Sequence, residues 1–237
     1  MLRKEQISKI KIYSEEWHQF RIGKLTSSKW STQMTEKPLD KAALTYLYQK
    51  VGEVLTGQTA SEDSEIENEN TVWGLKNEPL AVQHFAEVKK VKFIAVQNII
   101  SSLDGRMSST PDAIWIHNES INQEEYHVST LEVKCPCQYH RYIRLYECKT
   151  PDQLKKYEKS YYWQVLHQMM LCDSAVGYFM CYHPMFPTTS NHRIIEFKKI
   201  ELWDDFKLMV QRKDAALNKL NEIISEIKLA TANACQL

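Results

Sequence analysis

At 237 residues, 43% hydrophobic and 11% aromatic, with a mean hydropathy of -0.47, the chain is long enough to bury one sizeable core and is unlike a disordered polymer. Thirty basic residues balance thirty acidic ones, so no global polycation advertises a polyanion, although a local basic groove is compatible with neutrality. Cys135, Cys137, Cys148, Cys172, Cys181 and Cys235 lack paired C-x-x-C spacing and read as reduced thiols without zinc-site partners, and with no run of about 20 apolar residues an intracellular, cytoplasmic protein is expected.

The first expected element is a helix around 14–20, with Ser14 as its cap and Glu15 and Glu16 at its positive end. RIGKLTSSKW, from Arg21, follows as a helix-edge or loop segment. Leu44, Leu47, Tyr48 and Val51 recur at helical spacing and predict a helix over 39–54. SEDSEIENEN, residues 61–70, is the most polar run and reads as a solvated loop. A helical pattern resumes at Thr71 with Trp73, Leu80, Phe85 and Val88 as buried positions. Pro79 begins or bends its regular part, which leaves Glu78 near a helix start or kink.

KFIAVQNII (92–100), 113–117 and 126–134 predict strands, with Asp104-Gly105 as a turn. Thr150-Pro151-Asp152-Gln153 offers a cap, a first-turn proline and a glutamine at the third position, opening a helical region that runs through YYWQVLHQMM. Residues 176–182 and 193–197 predict a returning hairpin. Residues 202–229 predict one long packed helix, broken at most once, that carries Leu208, Met209, Ala216, Leu217, Leu220, Ile223, Ile224 and Ile227 at mostly three and four spacings. The fold class expected is α/β, in the α+β-like sense: one domain over 1–237 with a central mixed sheet flanked by helices, an N-terminal helical portion and a long C-terminal helix.

In a strand, Glu132 and Lys134 share one face while Val133 turns to the other. With Asp112 near the start of one strand and Glu132 near the end of its neighbour, two carboxylates meet at one sheet edge. Hard divalent ions favour such oxygens, the Val133 carbonyl could add another, and Lys134 could orient water or stabilise charge on a scissile phosphate. The set supports phosphodiester hydrolysis; an ordinary turn at Asp112 and a solvated strand end at Lys134 are the plainer alternatives.

Pro111-Asp112 followed by Glu132-x-Lys134 resembles the core of the PD-(D/E)xK, restriction-endonuclease-like nucleases. RIGKLTSS, TVWGLKNEP, TPDAIW, LEVKCP and YYWQVLHQMM, in that order and spacing from Arg21 to Met170, resemble the phage lambda exonuclease and YqaJ-type viral recombinase family. The resemblance implies Asp112, Glu132, Lys134 and Gln164 as catalytic residues, and Glu78, Asp112, Glu132 and Val133 as a site for magnesium, with manganese able to substitute. It implies Arg21, Ser28 and Thr110 as ligands of a terminal 5′-phosphate and Arg141 as a further phosphate ligand, with Arg144 competing with Arg141. It further implies 5′-to-3′ digestion of double-stranded DNA ends to leave 3′ overhangs for recombination, a ring-shaped homotrimer, a single-strand annealing protein as partner, and a phage or prophage source.

Two departures stand out from the family pattern. Ala113 replaces the usual glycine after Pro-Asp. Leu166 replaces a second glutamine, whose contact is then missing or supplied by His167 or Gln168. Lys89, Lys90 and Lys92, and Lys155, Lys156 and Lys159, could track a phosphate backbone or be solvated surface. Of Tyr161, Tyr162 and Trp163, at least one must pack inward. A restriction or repair endonuclease with the same core, and a noncatalytic DNA-end binding module, are the competing functions.

Overall fold

The computed structural model describes residues 1–60, 69–92, 95–119 and 125–234. Short strands β1 (Leu2–Arg3) and β2 (Ile7–Ser8) precede helix α1 (Glu15–Arg21) and strand β3 (Leu25–Thr26). A 3-10 segment, Ser27–Gln33, leads to helices α2 (Lys41–Thr56) and α3 (Glu69–Lys89). Strands β4 (Ala95–Val96), β5 (Ile99–Ser101), β6 (Met107–Ser109), β7 (Ala113–Glu119) and β8 (Glu125–Lys134) follow. Helices α4 (Tyr139–Glu147), α5 (Pro151–Tyr157) and α6 (Lys159–Leu171) lead to β9 (Val176–Tyr182), β10 (His192–Lys198) and the closing helix α7 (Trp203–Ala234).

The main sheet has the order β10-β9-β8-β7-β4, with β1 also paired to β8. β8 runs antiparallel to β7 and parallel to β9, and the parallel pair requires the long crossover that α4, α5 and α6 supply. Both faces of this mixed sheet are covered, which is why its strands carry apolar residues on both sides. Val128, Phe179, Cys181, Ile195 and Phe197 enter the larger core with α2, α6 and α7. Leu131, Val133 and Met180 turn the other way and meet Ala81, Val82 and Phe85 of α3. Gly177 lets α6 approach β9: a Cβ there would lie 2.6 Å from Met169 Sδ.

The capping signals act as expected. Ser14 Oγ accepts the Trp17 N–H at 3.2 Å, and Thr150 Oγ1 accepts that of Gln153 at 3.3 Å. Asp40 caps α2 by accepting from Ala43 N–H at 3.0 Å, so this helix starts two residues later than its periodicity predicts. Asp104-Gly105 is a turn, with Gly105 at φ +69°.

Several expectations require correction. KFIAVQNII is not one strand: Gln97, at φ +55°, carries the chain from β4 in the main sheet to β5 in a small sheet of order β2-β5-β6-β3, and residues 93–94 lie outside the described residues. Helix α4 has no counterpart in the sequence reading. Pro79 lies inside α3 rather than at its start, where its missing N–H removes one helical bond just after Glu78. Tyr48 and Leu80 are exposed because each lies well off the row its helix buries, Leu47, Lys50 and Val51 in α2 and Ala81, Val82 and Phe85 in α3. Val88 is exposed at the C-terminal end of α3, and Leu208 at the rim of its row. Ile227 is exposed because unbroken α7 outruns the core: residues 225–233 are all exposed. The polar run 61–68 and Cys235 lie outside the described residues.

Candidate active site

Asp112 is placed by backbone pairing at the mouth of β7. Its N–H donates to the Leu131 carbonyl at 3.0 Å, and its carbonyl accepts from Gln97 N–H at 3.2 Å. Its carboxylate Oδ2 accepts the Val133 N–H at 2.6 Å. Twenty residues on, Glu132 leaves β8 toward α6 and is 2% exposed. Oε1 of Glu132 accepts from Lys134 Nζ and from Gln164 Nε2 at 2.6 Å, and Oε2 accepts from Gln168 Nε2. Gln164 and Gln168 are one helical turn apart on α6, so one face of the helix delivers both amides. Of the two candidates beside Leu166, Gln168 reaches Glu132, while His167 turns away to Ser27, with Nδ1 2.6 Å from Ser27 Oγ.

Charge follows this geometry. Burial first, then the Glu132 and Glu78 carboxylates, push the Asp112 carboxyl well above its ordinary value, against the pull of Lys134 and the Val133 N–H. Burial works against the Lys134 charge, yet Glu132 and Asp112 outweigh it and hold the ammonium above the ordinary lysine value. The Lys134 Nζ also lies 5.2 Å from the Tyr161 ring centroid. Burial, then Glu78 and Asp112, raise the Cys135 thiol, which keeps it protonated and unsuited to a soft metal.

Glu78, Asp112 and Glu132 line one cavity with Lys134 and Gln164. Gly74, one turn before Glu78, keeps space at that carboxylate: a Cβ would lie 3.4 Å from Glu78 Oε1. Oxygen donors of this kind suit a hard divalent cation, and the accumulated negative charge at Asp112 is the condition such a cation would relieve. Among the described residues, no three acidic, histidine or cysteine side chains are already gathered at metal-binding spacing. The donor set fits the ion while Glu132 remains held by Lys134, Gln164 and Gln168.

The same cavity contains Arg21, Ser28 and Thr110. Trp17, which the sequence reading did not single out, joins two of them: the Arg21 guanidinium carbon is 3.8 Å from its ring centroid, and its Nε1 donates to Thr110 Oγ1 at 3.4 Å. Their i,i+4 spacing on α1 was the available signal. A second cavity shares Ser28, Glu78, Lys134 and Gln164 and adds Arg141, whereas the Arg144 guanidinium lies 5.5 Å from the Tyr157 ring. Arg141, not Arg144, is the arginine of α4 that the structure brings to the cleft. Lys155 is drawn away to Asp205 at 2.6 Å, so it does not lie free along the cleft. Tyr162 and Trp163 are both buried, leaving Tyr161 as the aromatic beside Lys134.

Residues 16–175 match the YqaJ-like viral recombinase domain. The chain belongs to that family. In fold, it is similar to an alkaline exonuclease, LHK-Exo, from Laribacter hongkongensis, with a TM-score of 0.71 and 21% identity over 93% of this chain and 100% of that one. The same enzyme in complex with dAMP gives a TM-score of 0.70 at 20% identity, with the same coverage. A phage related exonuclease from Haemophilus somnus 129PT gives 0.60 at 14% identity, over 86% of this chain and 96% of that one. No curated protein matches the chain in sequence. Among the described residues, no helix is long and apolar enough to cross a membrane.

Proposed function

We propose that this member of the YqaJ-like family is a divalent-metal-dependent exonuclease that enters at double-stranded DNA ends, holds the terminal 5′-phosphate and releases nucleotides 5′ to 3′, leaving 3′ overhangs. The observation that carries the reading is a single cavity in which the carboxylates Glu78, Asp112 and Glu132 and the cation Lys134 stand beside Arg21, Ser28 and Thr110. An arginine fork and two hydroxyls match a phosphate monoester, and the carboxylate edge matches phosphodiester hydrolysis. The dAMP bound by the Laribacter enzyme, a nucleoside monophosphate, agrees with release of single nucleotides.

In this reading, Asp112, Glu132, Glu78 and the Val133 carbonyl hold magnesium, or manganese in its place. The ion supplies an acidified water and charge neutralisation when bound. Lys134 orients the attacking water or stabilises charge on the scissile phosphate. Gln164 and Gln168 hold Glu132 against rotation. Arg141 reaches the following phosphates from the wider side of the cleft, and contacts confined to phosphates make digestion independent of sequence.

A homotrimeric ring around the duplex, a single-strand annealing protein as partner and a phage or prophage origin complete the proposal, supported by family membership. Magnesium-dependent digestion of linear duplex, with a covalently closed circle left intact, tests it. Cutting of the circle moves the same residues to an endonuclease; a folded protein that cuts neither substrate is an end-binding module.

A further inference from the structure

Arg21 and Ser28, the residues proposed to bind the phosphate, flank the segment 23–26, and two side chains of α2 grip that segment while a third holds one of them. Gly23 N–H donates to Glu53 Oε2 at 2.8 Å. Lys50 Nζ donates to the other oxygen, Oε1, at 2.7 Å. One turn back, the Tyr46 hydroxyl accepts the Thr26 N–H at 2.9 Å and lies 3.2 Å from Thr26 Oγ1. Tyr46, Lys50 and Glu53 are each 2% exposed, and their spacing places them on one helical face. Contact is close enough at Gly23, φ +68°, that a Cβ would lie 2.3 Å from Val54 Cγ2, so both the backbone conformation and the space require glycine.

A buried ion pair is an expensive way to join a helix to a loop, because apolar residues of the same shape commonly stabilise as well or better. What an apolar pair cannot do is accept the Gly23 N–H and fix the turn between Arg21 and β3. Lys50 and Glu53 also line a small cavity with Arg21. Resting on the end-directed reading above, we propose that Glu53, oriented by Lys50 and assisted by Tyr46, is a positioning residue that sets Arg21 and Ser28 at the geometry of a terminal phosphate monoester. None of the three contacts the reacting atoms; they act through the backbone of the segment.

The test compares 5′-phosphorylated with 5′-hydroxyl duplex ends, by kcat/KM in magnesium and by binding in calcium without turnover. Lys50→Met with Glu53→Leu, which replaces the pair by apolar side chains and leaves the buried Gly23 N–H without its acceptor, is expected to melt lower than wild type yet fold, and to keep its rate on hydroxyl ends while the preference for phosphorylated ends falls on the order of 10-fold. Lys50→Met with Glu53→Gln, which removes the ammonium but keeps an amide oxygen to accept from Gly23, should keep most of the preference. Tyr46→Phe provides a milder variant if the double replacement fails to fold, with a partial loss expected. An unchanged phosphate preference in whichever of these folds overturns the positioning role. Loss of both end types in proportion also overturns it, since that is the signature of a merely structural pair. A wild type that degrades DNA yet ignores the 5′-phosphate removes the phosphate pocket and this proposal together, leaving the nuclease standing. A wild type that binds phosphorylated ends preferentially without cleaving removes the nuclease reading and leaves the clamp.

Discussion

The two ends of the cavity are held in different ways. At the carboxylate end, side chains hold side chains: Glu132 is fixed by Lys134, Gln164 and Gln168. At the end proposed to bind the terminal phosphate, side chains of α2 hold backbone, at Gly23 and Thr26, between Arg21 and Ser28. The first arrangement gathers like charge in a buried place and needs compensation there. The second fixes main chain between the two residues proposed to meet the phosphate. Substitutions at the first end should therefore change turnover and stability together, sometimes in opposite directions, while substitutions at the second should change which ends are accepted.

The largest effect is expected at Asp112. Asp112→Asn removes a carboxylate from the metal-binding set and should lower kcat on the order of 10³-fold or more. Its melting temperature should equal or exceed that of wild type, because the replaced carboxyl is raised by burial and by Glu132 and Glu78. Single-turnover rates alongside thermal melts check both halves, and a slow variant that is also destabilised would contradict the like-charge account.

Next is Arg21→Ala. Losing a charge-assisted fork should weaken kcat/KM on 5′-phosphorylated ends about 10- to 100-fold and leave hydroxyl ends nearly unchanged. Equal losses on both would remove Arg21 from the phosphate site.

Within the carboxylate end, Gln168 and Gln164 should differ. Among the described residues, Gln168 is the donor recorded on Glu132 Oε2, whereas Gln164 shares Oε1 with Lys134. Gln168→Leu should cost about 1.5–3 kcal/mol in chemical denaturation, and Gln164→Leu distinctly less. The reverse order would sink the proposed division of labour.

The smallest effect is a slope with pH. Burial lowers His167 from its ordinary value to about 3, so between pH 6.5 and 3 the unfolded chain takes up a proton that the folded chain refuses. Stability should fall with acidification through that window, by at most about 1.4 kcal/mol per pH unit, with no contribution to the slope above pH 6.5. Asp112 works oppositely: raised in the fold, it burdens stability above its unfolded value and is relieved as pH falls. Denaturation midpoints measured from pH 7 to 4.5 should slope less steeply in His167→Gln, and identical slopes would assign the acid response elsewhere.

The sequence was most legible where chemistry and secondary structure use the same residues. Alternation along β8 placed Glu132 and Lys134 opposite Val133, and the caps at Ser14 and Thr150 opened the helices they signal. The C-terminal helix was equally visible from its period, though not the point at which it outruns the core, because period describes a face and not what covers it. The clamp at Tyr46, Lys50 and Glu53 was hidden for a related reason: polar residues on a helix read as solvent-facing until the loop that uses them is in place. The split of KFIAVQNII between two sheets depends on the left-handed turn at Gln97, which no glycine announces. Gln168 could be named only as one of two substitutes for the glutamine replaced by Leu166, since choosing it over His167 requires knowing that Ser27 occupies the histidine.

The central claim is that the two ends of the cavity act on one DNA terminus. Its most direct test is a rapid-quench experiment on blunt duplex carrying a labelled 5′-phosphate, in magnesium, with products resolved from the first turnover. The account predicts that the label leaves at once as a mononucleotide and that the unlabelled 3′-ended strand persists. Label appearing first in longer oligonucleotides, or released equally fast from Arg21→Ala, would contradict it.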